Sequence, residues 1–170
     1  MELKQRIEIP AALQEVWQAL NDPEILKACL TGCKRFEPIA ENRHAIELHA
    51  RVGPVQARFN GEVELTEINE PYSYTISGVG KGGVAGFARG SAKVRLTQLE
   101  SEGQPVTEMV YQVDASVGGK LAQIGSRLVL GAARKMANDF FRQFVLRVSG
   151  DNVARDEKGE VNIVIETIEQ

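Results

Sequence analysis

The last long segment of the chain, residues 119–149, alternates apolar and polar positions with the period of an α-helix. Its apolar residues recur at three- and four-residue intervals: Leu121, Ile124, Leu128, Ala132, Met136, Phe140, Phe144 and Val148. This spacing predicts one amphipathic helix. Since an α-helix rises by about 1.5 Å per residue, the predicted helix is about 45 Å long and crosses a whole small domain.

Most of residues 35–117 repeats with a period of two, which is typical of β-strands. With the N-terminal segment included, the predicted strands are Glu2–Ile9, Lys34–Ile39, His44–Val52, Val55–Ile68, Tyr72–Val79, Phe87–Leu99 and Val106–Val117. The links between them are short, which favours hairpins and an antiparallel meander. Two short helices, Ala11–Leu20 and Pro23–Leu30, are predicted between the first and second strands, with Asp22 as the cap of the second.

This order of elements predicts an α+β fold, in which a seven-stranded curved antiparallel sheet surrounds a long C-terminal helix. It resembles the helix-grip architecture of the START and Bet v 1-like proteins. We expect residues 1–150 to form a single domain and residues 151–170 to form an acidic C-terminal tail. Within that tail, Val161–Ile168 either adds a late strand or stays mobile. A sheet that curves around one helix can leave a hollow core, so the fold raises the question of a ligand.

Composition and charge exclude several classes of protein. The chain has 170 residues, of which 43% are hydrophobic and 25% charged, as is ordinary for a soluble domain. No apolar run approaches the roughly 20 residues of a membrane span, and the N-terminus lacks a signal-like apolar region, so we expect a cytoplasmic protein. The net charge of −3 divides into −4 for residues 151–170 and +1 for the remainder. This balance argues against a general nucleic-acid binder.

Four residues superficially fit the spacing of a zinc site: Cys29, Cys33, His44 and His49. The two histidines, however, lie five residues apart in a predicted strand, where such residues point to opposite faces of the sheet. We therefore interpret the cysteines as structural and the histidines as surface residues, and we predict no metal ligand.

The sequence contains no strong catalytic signature. It has no Gly-x-Ser-x-Gly motif, and neither histidine is obviously close to a core-facing Ser or Cys. Asp114 and Asp139 interrupt apolar surroundings, and we interpret both as satisfied polar positions. Acid–base chemistry by carboxylates stays open, but no catalytic residue is predicted.

A glycine-rich run, residues 78–90, separates two predicted strands. A phosphate-binding loop would need Gly-Lys-Ser/Thr at the start of a helix, whereas Gly82 follows Lys81 here and a strand follows the run. We interpret the run as a mobile gate beside the cavity mouth. The gate residues are Gly80, Gly82, Gly83 and Phe87, and the tip of the gate is formed by Val84, Ala85 and Phe87.

Basic residues recur along the second face of the predicted helix, at intervals of seven or eight positions: Lys120, Arg127, Arg134 and Arg142. Lys135 flanks this basic stripe, and Asp139 is the single acid between Lys120 and Val148. The stripe is either a solvated face or a docking surface for anionic lipid headgroups or an acidic partner.

Strand parity and the apolar helix face predict the lining of a cavity. The predicted lining residues are Trp17, Leu48, Phe59, Tyr74, Ile76, Val113, Leu121, Leu128, Met136 and Phe140. An apolar pocket with few polar groups is the usual form of a small-molecule site. A solid core would have the same composition, and that alternative stays open.

Several short motifs resemble the CoxG family of carbon monoxide dehydrogenase subunits, which belongs to the SRPBCC superfamily. They span roughly residues 2–148 and are Asp22-Pro23-Glu24, Gly32-Cys33, Val52-Gly53-Pro54-Val55, Phe59-x-Gly61-Glu62-Val63, Gly80-Lys81-Gly82-Gly83-x-Ala85-Gly86-Phe87 and Val117-Gly118-Gly119-Lys120-Leu121-Ala122-x-x-Gly125-x-Arg127. The sequence departs from the family at Thr31, where Pro is common, and in its short acidic tail, where some members carry a membrane anchor.

This resemblance implies a non-catalytic accessory protein that binds a quinone-like lipid and links a CO dehydrogenase-type molybdenum hydroxylase to the membrane. The implied partners are the hydroxylase subunits, the apolar small molecule and the inner face of the cell membrane. No cofactor is expected apart from a bound quinone or other lipid. Two other hypotheses stay open: a cyclase- or hydrolase-type enzyme of the same fold, and a docking protein whose cavity is incidental.

Overall fold

The structure is a computed structural model that describes residues 1–150, 157–158 and 163–168. These described residues contain eight strands: β1 (Glu2–Ile9), β2 (Cys33–Ala40), β3 (Arg43–Val52), β4 (Val55–Asn69), β5 (Ser73–Lys81), β6 (Phe87–Ser101), β7 (Gln104–Gly118) and β8 (Ile165–Thr167). The helices are α1 (Leu13–Leu20), α2 (Pro23–Cys29), α3 (Lys120–Gln123) and α4 (Ser126–Ser149), with a 3₁₀ turn at Gly83–Ala85.

The strands form one antiparallel sheet in the order β2-β3-β4-β5-β6-β7-β1-β8. The predicted helix-grip architecture is therefore confirmed. The short strand β8 adds an eighth member by pairing with β1, with Ile165 opposite Ile7. Of the two alternatives for Val161–Ile168, the late strand is the one observed for the part that is described. The rest of the predicted tail, residues 151–156, 159–162 and 169–170, lies outside the described residues.

The sheet separates apolar from charged side chains by strand parity. In β1, Leu3, Ile7 and Ile9 are buried on the inner face. On the outer face, the guanidinium of Arg6 pairs with Glu108 at 2.7 Å and with Glu8 at 2.5 Å. The period-two pattern thus directs one face of the sheet toward the helices and the other toward solvent.

The two short helices close one end of the sheet. Asp22 accepts a hydrogen bond from the backbone N–H of Glu24 at 3.0 Å, and Pro23 occupies the first turn, which confirms the predicted cap. From α1, the indole of Trp17 packs edge-on against the ring of Tyr74, with centroids 5.5 Å apart. This contact joins α1 to the middle of the sheet.

The C-terminal segment is not the single helix that the periodicity predicts. It breaks between α3 and α4 at Gly125, whose φ of 101° and ψ of 147° are rarely adopted by residues with a side chain. The prediction is wrong here because the apolar period continues across the break. As a result Leu121 is buried, whereas Leu128, seven residues later, is 50% exposed.

Two glycines of this segment test the break with matched substitutions. A Cβ atom would meet no atom within 4 Å at either Gly125 or Gly131, so Gly→Ala changes only the backbone preference. Gly131 lies inside α4, and Gly131→Ala should raise the free energy of unfolding by about 0.5–1 kcal/mol. Gly125→Ala should lower it by about 1–3 kcal/mol. Urea denaturation measures both, and an equal gain from the two variants would show that residues 119–149 form one continuous helix.

Candidate ligand-binding site

Two apolar hollows lie between α4 and the inner face of the sheet. The first, here called the aromatic cavity, has a volume of about 370 Å³ and is bordered by α1, α2 and the C-terminal half of α4. Its aromatic lining residues are Phe36, His44, Tyr74, Tyr111, Phe140 and Phe141. The second, the aliphatic cavity, has a volume of about 260 Å³ and lies beneath the N-terminal half of α4. Its lining includes Leu48, Ala50, Val52, Val117, Val129, Ala132 and Ala133.

The two cavities are adjacent, and together they are called the cleft here. Ile46 of β3 and Val63 of β4 border both of them. Both side chains point inward because each strand directs every second residue to the helix side. The cleft therefore follows α4 along the inner face of the sheet, and Ile46 and Val63 mark the boundary between its halves.

Eight of the ten predicted lining residues border this cleft. Tyr74, Ile76, Val113 and Phe140 line the aromatic cavity, and Leu48, Phe59, Leu121 and Met136 line the aliphatic cavity. Contact of these residues with a ligand stays a prediction.

The other two predicted residues, Trp17 and Leu128, border neither cavity. Trp17 is buried behind the wall of the aromatic cavity, against Tyr74. Leu128 lies beside the β3–β4 turn, where a Cβ atom on Gly53 would be 3.5 Å from Leu128 Cδ1. The break at Gly125 rotates Leu128 away from the face that Leu121 occupies.

The interpretation of His44 as a surface residue needs correction. His44 borders the aromatic cavity, 5.1 Å from Phe36 between ring centroids, whereas His49 approaches Glu47 at 3.3 Å and borders neither cavity. His44 and Ile46 are two residues apart in β3 and therefore face the same side of the sheet. This spacing is the sequence signal that could have predicted the inward position of His44. Tyr111, Ile46 and Val63 also line the cleft without having been predicted, and strand parity was the available signal for them too.

The polar groups of the aromatic cavity are neutral. Burial raises the pKa of the Tyr74 and Tyr111 phenols and lowers the pKa of the His44 imidazole. The Tyr111 hydroxyl donates to Gln5 Oε1. No Lys, Arg, Asp or Glu of the described chain borders this cavity. The site is therefore suited to an uncharged ligand.

The carboxylates considered for acid–base chemistry lie elsewhere. Asp139 pairs with Lys135 at 2.6 Å, and Asp114 is exposed on a strand. Among the described residues, Glu62 is the one carboxylate residue that borders either cavity, and its side chain is bound to Arg43 at 2.5 Å. Within residues 1–150, 157–158 and 163–168, no group of three His, Cys, Asp or Glu side chains could hold a metal ion.

The glycine-rich hairpin covers the aliphatic cavity through Phe59. A Cβ atom on Gly80 or on Gly82 would lie 3.2 Å from this side chain, so the ring packs directly under the hairpin backbone. At the tip, Val84 is 78% exposed, whereas Ala85 is buried. Phe87 packs on Gly118, where a Cβ atom would lie 2.1 Å from its ring, and Gly83 has a φ of 57°. Opening of this hairpin as a gate stays a prediction.

The basic stripe is exposed, and the break at Gly125 divides it. Lys120 lies in α3, while Arg127, Arg134 and Arg142 lie in α4. In the described part of the chain, no carboxylate pairs with any of these four side chains. None of the described helices is both long enough and apolar enough to span a bilayer.

Solved structures with the same architecture include one with clear sequence similarity. A conserved protein from Geobacillus kaustophilus is 33% identical, with a TM-score of 0.80, and the match covers 88% of this chain and 95% of that one. A START superfamily protein from Mycobacterium smegmatis matches with 12% identity and a TM-score of 0.64, over 87% of this chain and 97% of that one. The Zhui aromatase/cyclase from Streptomyces sp. R1128 matches with 10% identity and a TM-score of 0.62, over 95% and 99%.

The last two structures share the fold alone, because their identity is low. No curated protein matches the chain by sequence. The sequence pattern that defines CoxG, a family of carbon monoxide dehydrogenase subunits, however, matches residues 6–149, which is most of the chain. The protein therefore belongs to the CoxG family and has the START-like helix-grip fold.

Proposed function

We propose that this protein is a non-catalytic accessory protein that holds a quinone-like lipid in the cleft beneath α4 and serves a CO dehydrogenase-type molybdenum hydroxylase. The observation that carries the proposal is the cleft itself, which is apolar, contains only neutral polar side chains in its aromatic half and lies between the helix and the sheet. Membership of the CoxG family and a START-like fold support a hydrophobic ligand-binding accessory protein.

A quinone with an isoprenoid chain matches the two halves of the cleft in chemistry. Its ring is flat and uncharged, and the aromatic cavity offers Phe36, Phe140 and Phe141 as packing surfaces. Its chain is purely hydrocarbon, and the aliphatic cavity is lined by small and branched apolar residues. The aromatic cavity alone lies within the range of roughly 300–1,000 Å³ that is typical of ligand pockets.

The link to a membrane is assigned to the basic stripe. Its four side chains are exposed and lie beside the cleft on α3 and α4, so a surface bound there would be near the ligand. Near an anionic membrane each such side chain contributes roughly 1 kcal/mol of binding free energy. Under this proposal the protein contacts the inner face of the cell membrane peripherally while it exchanges its ligand.

An enzyme of the cyclase type is the second candidate, because a neutral imidazole and a phenol, His44 and Tyr74, share one cavity. Proton transfer by His44 would be aided by a carboxylate that orients the ring, and none borders this cavity in the described chain. Under this alternative a bound ring compound would be converted and released, whereas a carrier would return it unchanged.

Filling the aliphatic cavity tests the carrier proposal. Ala132 borders that cavity, and Ala132→Trp should place an indole where the lipid chain would lie. We expect retention of a menaquinone with four isoprene units, measured after gel filtration, to fall at least tenfold. Ala122→Trp is the matched control, because Ala122 is an exposed helical residue that borders neither cavity. Equal retention by the two folded variants would refute the assignment of the cleft.

Charge reversal tests the docking surface separately. Arg127→Glu combined with Arg134→Glu removes two favourable contacts, so binding to vesicles that contain phosphatidylglycerol should weaken by about 30-fold or more. Affinity for the same menaquinone should stay within twofold. The control is Lys93→Glu with Arg95→Glu, an identical charge change on exposed residues of β6. If the control weakens vesicle binding as much, net charge rather than the stripe determines docking.

A further inference from the structure

We propose that the cleft binds its ligand in one orientation, with an oxygen-bearing ring in the aromatic cavity bonded to the Tyr74 hydroxyl and an apolar chain in the aliphatic cavity. This inference rests on the proposed function, since it specifies which chemistry the cleft recognises and at which end.

Tyr74 is a buried donor without a hydrogen-bond partner among the described residues. Its side chain lies on the inner face of β5 with 7% exposure, and its ring packs against Trp17. No described residue forms a hydrogen bond with its hydroxyl. Among the described side chains, Ser149 Oγ is the one fully enclosed polar atom that lacks a partner, so the Tyr74 hydroxyl still borders open space. On this inner face, Tyr74 borders the aromatic cavity.

The other tyrosine of this cavity, Tyr111, differs from Tyr74 because its hydroxyl has a hydrogen-bond partner. The Tyr111 hydroxyl donates to Gln5, whose amide in turn donates to Asn138 at 3.3 Å and Thr167 at 3.5 Å. Tyr74 has no comparable chain of partners among the described residues. Because burial raises the pKa of the Tyr74 phenol, it stays protonated and offers a hydrogen to an acceptor inside the cavity. An unpaired buried donor is unfavourable, so a ligand oxygen there is favoured over hydrocarbon.

His44 adds a second polar group to the same end of the cleft. It lies on β3, two strands away from Tyr74, and forms no hydrogen bond or ion pair with a described residue. A neutral imidazole has one donor and one acceptor nitrogen. A ring with oxygens on opposite edges, as in a 1,4-dione, could therefore accept a hydrogen bond from Tyr74 at one oxygen and from His44 at the other.

The aliphatic cavity contrasts with this arrangement. Of its lining residues in the described chain, Glu62 is the one with an ionisable side chain, and that carboxylate is held by Arg43. Met1 also borders the cavity, and its amino group donates to the Ala115 carbonyl at 2.9 Å. Small residues, among them Ala132, Ala133 and Gly80, leave room for a slender chain. A hydrocarbon chain therefore suits the lining of the aliphatic cavity, and an oxygen-bearing ring does not.

The charge of the lining also defines the ligand class. Neither cavity is bordered by a Lys or Arg side chain of the described residues. A free carboxylate or phosphate in the aromatic cavity would lose its hydration without gaining a counter-ion, which is costly. The Met1 ammonium group, whose residue borders the aliphatic cavity, already donates to the Ala115 carbonyl. The class recognised is an uncharged amphiphile that carries a ring ketone or hydroxyl, rather than a fatty acid or a phospholipid.

The experiment compares ligand binding by the full chain and three variants, with the fluorescence of Trp17, the one tryptophan, as the signal. Tyr74→Phe removes a single oxygen, and Tyr72→Phe is the matched control on an exposed tyrosine. The probes are a menaquinone with four isoprene units, the tail-less 2-methyl-1,4-naphthoquinone, and palmitate. We expect Tyr74→Phe to weaken binding of both quinones by about 5- to 10-fold and Tyr72→Phe to change neither. Palmitate should bind at least tenfold more weakly than the menaquinone.

The third variant, Ala132→Trp, tests whether the aliphatic cavity holds the hydrocarbon chain of the ligand. Because this variant adds a second indole, the Trp17 fluorescence signal is replaced by ligand retention after gel filtration. Ala132→Trp should lower retention of the long quinone at least tenfold and leave binding of the tail-less ring within twofold. Loss of both quinones in Ala132→Trp, or no effect of Tyr74→Phe on a quinone that the parent protein binds, would overturn the orientation and leave the carrier function intact. If the parent protein binds neither quinone, the proposed function fails, and the orientation fails with it.

Discussion

The packing of α4 against the sheet is uneven along its length, and the cleft depends on this difference. Phe141, Phe144 and Val145 are buried in the C-terminal half, and Phe144 stacks against Phe140 with centroids 5.8 Å apart. In the N-terminal half, before residue 138, Val129 is the one buried residue of the helix. The helix is thus fixed at one end by an aromatic cluster. Toward its other end, small residues such as Ala132 and Ala133 face the aliphatic cavity and leave it unfilled.

The chemistry of the cleft follows from the same separation of faces. Charged side chains pair on the outer face, as Arg6 does with Glu108 and Arg43 with Glu62. The inner face keeps apolar residues and a few neutral polar groups, which makes it a poor site for anions and a good one for uncharged lipids. The break at Gly125 separates α3 from α4, so that the two helices follow different directions. Because of this break, Leu121 of α3 is buried in the lining of the aliphatic cavity.

Much of the fold could be predicted because it depends on local patterns. The strands follow from period-two alternation, and the Asp22 cap follows from residue type and position. The break at Gly125 could not be read from the sequence, because glycine is compatible with a helical period and a positive φ leaves no mark in the pattern. The pairing of β8 with β1 depends on contacts between distant parts of the chain, which periodicity does not report. The inward position of His44, in contrast, could have been predicted, because His44 lies two residues from the apolar Ile46 in the same strand.

The cleft itself could not be derived from composition, because its lining residues would be equally apolar in a solid core. The most direct test of a lipid carrier is to purify the full chain from cells that make respiratory quinones, extract it with organic solvent and identify the extract by mass spectrometry. If the protein is such a carrier, the extract should contain about one isoprenoid quinone per protein chain. An extract without quinone, both as purified and after incubation with quinone-containing membranes, would contradict it.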